Sequence, residues 1–144
     1  MKLSILLSVA AIYMALAGLG FIFAPQAIGI GAVPTDASAA LIAYLRLFGS
    51  PFLGIAVLNW TARNAAPSTA RNAIILGNIV GFGAIAALDV WGLFSGARQL
   101  TKVFAITHLL FAVAFIWVGR KSMSTKTSEA DTRAAWKAHV PRER

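Results

Sequence analysis

The chain has 144 residues, a formal net charge of +8, 58% hydrophobic residues and only 12% charged ones. Soluble domains average about 25% charged residues, and one this small leaves roughly a third of its unfolded-chain surface in contact with solvent. A mean hydropathy of +0.74 therefore excludes an ordinary soluble domain and points to lipid as the solvent. The absence of cysteine excludes disulfides, thiol catalysis and cysteine-ligated metal.

A helix needs about 20 apolar residues to cross a ~30 Å hydrocarbon core. Four segments meet that requirement, at about 3–23, 38–60, 70–94 and 100–119. The expected fold is an all-α membrane protein, a four-transmembrane-helix bundle occupying 1–120, followed by a short basic tail over 121–144.

The first span stops at Pro25, and Gly29-Ile30-Gly31 discourages its resumption. Ser4, Ser8, Ala11, Ala15 and Gly18 form a ridge of small residues along it, which favours close helix packing. Its start, Met1-Lys2 followed by an apolar run reaching Ala15-Leu16-Ala17, also has the form of a cleavable signal. Signal cores are usually only about 7–15 residues, and this run continues through Phe23, so retention as a span is the expectation.

Pro34 and Asp36 precede the second span, as at a helix start. Inside it, Gly49-Ser50-Pro51 and Gly54 suggest a bend, because proline removes a backbone donor and crowds the preceding turn. Pro67-Ser68-Thr69 precedes the third span, with Ser68 or Thr69 as its cap. The third span carries Gly77-x-x-x-Gly81. The expectation is that Gly49, Gly54, Gly77 and Gly81 pack helices together within one bundle, with a homodimer face as the alternative for the Gly-x-x-x-Gly pair. Ser95-Gly96 separates the third span from the fourth, which ends at Arg120-Lys121.

Basic residues set the orientation. With the N-terminus inside, Lys2, Arg63, Arg71 and seven tail residues lie on the cytoplasmic side, against Arg98 and Lys102 outside. That bias places both termini in the cytoplasm. The tail runs from Ser122 to Thr127 as a polar segment, then offers Ser128-Glu129-Ala130-Asp131 as a capping box for a short helix to about Ala138. Next to four apolar spans, such a tail suits anionic headgroups better than nucleic acid.

Polar residues inside spans are the strongest pointers to a site, since a central charge costs a few kcal/mol unless it faces the bundle interior. Arg46, Asp89 and His108 are such residues. In the N-in orientation Arg46 and His108 lie roughly 12 Å below the outer surface and Asp89 roughly 7–8 Å, so one outer-leaflet layer holds a cation, an anion and an imidazole. Asn78 and Asp89 share a helix face with Phe82 and Ile85 between them, and Thr101 aligns with His108. Tyr13 is placed to reach the interior, and Asn59 matches Asn78 in depth. An Arg46–Asp89 pair with His108 beside it would pin the second and third spans. Snorkelling of both charges to the headgroups and a functional polar pocket are the competing readings.

With two histidines in the chain, one of them in the tail, and one acid inside the spans, no metal site, bis-histidine haem or paired-carboxylate centre is expected, and no cofactor. The glycine pairs lack the strand–helix context of nucleotide loops.

Phe23-Ala24-Pro25, Arg46-Leu47-Phe48-Gly49, Gly54 through Asn59-Trp60, and the loop residues Arg63 and Arg71 resemble the pattern of small four-helix membrane proteins of bacteria grouped with the DoxX-like families. The resemblance covers about residues 3–119 and leaves out the basic tail. It implies a four-helix fold in the bacterial inner membrane and no assigned activity. The functional expectation is a non-catalytic accessory or scaffold subunit, or a binder of a small apolar or lipid-like ligand, in contact with lipid and as a homo-oligomer or part of a larger membrane complex. A proton-linked or transporter-like oligomer using the outer polar layer is the alternative, and a small enzyme acting on lipid or quinone the third.

Overall fold

The computed structural model describes residues 2–95 and 101–139, with side chains to Met123. Gly96 and Arg98 of the expected outer turn, and the tail side chains beyond Met123, lie outside the described residues. Helix α1 spans Leu3–Phe23, α2 Pro25–Ile28, α3 Ala39–Ala62, α4 Thr69–Ser95 and α5 Thr101–His139. The described part is all-helical apart from connecting turns, and four of its helices, counting α5 over Thr101–Met123, are long and apolar enough to cross a membrane.

The ends follow from local chemistry. Pro25 closes α1 and opens the single turn α2 from its first position, where a missing N–H costs nothing. Gly31 takes φ 79°, a left-handed conformation that glycine adopts without strain. The Gln26 amide donates to the carbonyl oxygens of Pro34 and Thr35, tying down the loop between α2 and α3. The Ser38 hydroxyl accepts from the Leu41 N–H and caps α3. Ser68 does the same for α4 through the Arg71 N–H, so Ser68 rather than Thr69 is the cap. Helix α3 continues past Pro51 to Ala62.

Helix α5 corrects one expectation. No separate tail helix starts at Ser128; the backbone remains helical from Thr101 through His139. The reason is visible in composition, since no glycine or proline occurs between Gly119 and Pro141 to stop propagation.

Packing divides the long helices into two antiparallel pairs, α1 with α3 and α4 with α5, with sparser backbone contact between the pairs. The α1–α3 seam is a backbone approach. A Cβ built on Gly18 would lie 2.9 Å from the Gly49 carbonyl oxygen, and one on Gly49 would lie 2.5 Å from that of Gly18. The α4–α5 seam is aromatic: Phe82 stacks on Phe111 at 4.5 Å between centroids and on Phe115 at 5.8 Å.

Gly54, Gly77 and Gly81 depart from the packing expectation, for a Cβ at any of them meets nothing within 4 Å. The inward face of α4 is instead Ile75, Asn78, Phe82, Ala86, Asp89 and Gly92. Successive helix positions differ by about 100°, so Gly77 and Gly81, one residue before Asn78 and Phe82, point away from it.

The exterior is apolar, with Leu16, Val80, Leu88, Trp91, Phe94 and Leu110 all largely exposed, while Asn59, Asn78, Asp89, Thr101 and His108 are buried. A soluble fold would reverse this arrangement. It suits hydrocarbon, where interior polar groups bond to one another and the exterior needs none.

Candidate functional site

Two polar clusters cross from one helix pair to the other. In the first, Asp89 on α4 lies six residues before the end of its helix and faces α5. Its Oδ2 is 2.6 Å from Nδ1 of His108, with both side chains about nine-tenths buried. The other ring nitrogen, Nε2, is 2.7 Å from the Tyr13 hydroxyl on α1. A continuous chain of hydrogen bonds thus links three helices. With Asp89 ionised, Nδ1–H donates to the carboxylate and Nε2 accepts from the Tyr13 O–H, which fixes one tautomer of neutral His108.

An aromatic wall surrounds this chain. Phe104 stacks on His108 at 6.1 Å and 21°, Phe82 lies 6.2 Å from the imidazole, and Phe111 packs 5.2 Å from the Tyr13 ring. Such walls keep the local dielectric low and strengthen each bond in the chain. Thr101, about two helical turns before His108, is buried on the same face.

In the second cluster, Asn59 on α3 and Asn78 on α4 exchange two side-chain hydrogen bonds, at 3.0 Å and 2.6 Å. Asn78 also donates to the Ile74 carbonyl oxygen. This reciprocal amide pair joins the α3–α4 hairpin near its turn.

Asp89 and His108 are brought together as depth and helix phase suggest. Arg46 is not in contact with them: its side chain is exposed, while Asp89 is buried against His108. Depth alone placed Arg46 with the other two; its direction on the helix does not. The buried positions Gly49, Ala56, Asn59 and Ala62 define the inward face of α3, and Arg46 is roughly 100° away from it. Asn78 belongs to the second cluster. Tyr13, whose depth lets it reach the interior, is the third member of the chain; its signal is a phenol, the side chain long enough to cross between helix pairs, at the middle of an otherwise apolar span.

Among the described residues no group of three or more His, Cys, Asp or Glu could hold a metal ion. Chemically, the first cluster can pin helices, and it can pass a proton between Tyr13 and Asp89 through His108. Comparison of the chain with family models, curated proteins and solved structures finds no match.

Proposed function

We propose that this chain is a non-catalytic accessory or scaffold subunit of the bacterial inner membrane, with both termini cytoplasmic. The observation that carries this reading is that the interior polar groups are turned on one another across helices. His108 uses both ring nitrogens and the Asn59 and Asn78 amides bond reciprocally. Such bonds pin helices where lipid supplies no competing partner. The excess of Lys and Arg at one end supports the orientation, and the DoxX-like motifs support the bacterial membrane setting as part of the same proposal.

A second reading is favoured by one feature. The Tyr13–His108–Asp89 chain runs from the middle of α1 to near the end of α4, which is the form of a short proton relay in an oligomer. Reconstitution into vesicles containing a pH-sensitive dye separates the two. The scaffold reading expects proton flux equal to that of protein-free vesicles under an imposed gradient. A flux abolished by Asp89→Asn would replace it with the proton-linked reading.

A further inference from the structure

The α1–α3 seam changes character along its length. At Gly18 and Gly49 the two backbones meet so closely that neither position has room for a Cβ. Toward the C-terminal end of α3 the same seam opens into a groove of about 340 Å³. Three small side chains, Ala11, Ala15 and Ala56, leave the space, and Ile12, Val57 and Trp60 complete its walls. Apart from the indole N–H, every lining side chain is apolar. Ile12, Val57 and Trp60 are each about half exposed or more, so the groove opens outward rather than into the core.

Trp60 lies about one helical turn beyond Ala56 and two residues before the end of α3. It therefore stands at the end of the groove nearest the helix terminus. Its ring also carries a cation. The Arg63 guanidinium lies 3.6 Å over the ring centroid, and its Nη1 donates to the Trp60 carbonyl oxygen. One indole thus walls the groove and seats the charge. A guanidinium has five N–H donors, so Arg63 keeps hydrogens to give after this bond, and its full charge. No acid with a described side chain stands at this end, since Asp36 precedes α3 and Asp89 lies six residues before the far end of α4.

We propose that this end of the α1–α3 groove binds an anionic phospholipid, its phosphate on the Arg63 guanidinium and one acyl chain along Ala11, Ala15 and Ala56. An apolar trough that ends at a fixed cation matches a molecule with a hydrocarbon chain on one side and a negative charge on the other. The trough favours a lipid over free phosphate, and arginine suits phosphate through its planar fork. Discrimination against zwitterionic lipid comes from the indole. Aromatic faces attract quaternary ammonium groups, but here Arg63 covers that face and repels a choline. The site requires only that the helices cross a bilayer; it is independent of whether the Tyr13–His108–Asp89 chain pins helices or carries protons.

Native mass spectrometry of the full chain in mild detergent, with phosphatidylglycerol or phosphatidylcholine added, tests this. Wild type should retain phosphatidylglycerol about fivefold better, the selectivity that one basic residue gives toward an anionic headgroup. Arg63→Gln should bring that ratio to about one. Arg120→Gln removes the same charge from another helix at the same end and should leave the ratio near its wild-type value. Trp60→Leu keeps Arg63 but removes its seat, and should lower the ratio about twofold or more, whereas Trp60→Phe should preserve most of it. Ala15→Leu fills the groove and should weaken retention of both lipids about equally. Gel filtration and helical circular dichroism report folding. If Ala15→Leu does not fold, Val57→Trp at the exposed wall replaces it with the same expectation. Equal retention of the two lipids by wild type would overturn the proposal. So would an equal fall in the ratio for Arg63→Gln and Arg120→Gln, a ratio unmoved by Trp60→Leu, or retention unchanged when the groove is filled. Displacement of phosphatidylglycerol by an equal concentration of inorganic phosphate would overturn it too, as would a lipid-free dimer that Ala15→Leu converts to monomer.

Discussion

The two polar clusters differ in what their chemistry permits. Asn59 and Asn78 are neutral amides that satisfy each other reciprocally, and a closed pair of this kind can hold two helices together and do little else. Asp89, His108 and Tyr13 are ionisable groups in series, spanning three helices and walled by phenylalanines. A pin that can also change its protonation state is more costly to bury. The difference shows why buried polarity at one end of this molecule reads as architecture alone, while at the other it leaves room for a further role. It also predicts unequal consequences when each cluster is broken.

The largest effect is expected at Asp89. Asp89→Leu leaves the His108 Nδ1 without its acceptor inside an aromatic wall, and loss of one member of a buried pair costs about 3 kcal/mol. A thermal unfolding series in detergent should register it as the most damaging single change in either cluster. Next is the α1–α3 seam, which the polar clusters do not hold. Gly49→Val places atoms where the Gly18 carbonyl oxygen and Ile22 already lie, and forced separation costs about 2 kcal/mol. Breaking the amide pair should matter less. Asn78→Leu is expected to cost about 1 kcal/mol in the same assay, because helix-to-helix hydrogen bonds in membranes are individually modest. Asn59→Leu combined with it should cost less than the sum of the two singles. Tyr13→Phe keeps the ring packing and removes the bond to His108, for about 0.6 kcal/mol. If it proved as damaging as Asp89→Leu, the phenol would have to be central to the chain rather than its outer member.

Much of this architecture is legible in the sequence, because membrane spans are written as long apolar runs whose ends carry proline, glycine and serine. Pro25, Ser38 and Ser68 mark the boundaries through local chemistry alone. The pairing of Asp89 with His108 is legible in part, since depth and helix phase depend only on residue spacing. Arg46 shows where spacing is insufficient: two residues at equal depth meet only if their helices turn the right faces to each other. The position of Gly77 and Gly81 shows the same limit, since a small-residue motif says that backbones can approach closely but not which neighbour is there. Partner choice between helices depends on the whole set of contacts, and the α1–α3 and α4–α5 pairing is not encoded in any one motif. Tyr13 reaches His108 only because the gap between pairs matches the length of a phenol, a distance that no local pattern specifies.

The central claim is that Asp89 and His108 act as one unit joining α4 and α5. A double-mutant cycle of Asp89→Leu and His108→Leu, read by reversible unfolding in detergent, tests it most directly. The account predicts that the double variant is more stable than the sum of the single losses implies, by at least about 1.5 kcal/mol, since removing both partners leaves neither the carboxylate nor the imidazole stranded by loss of the other. Simple additivity of the two single losses would contradict it.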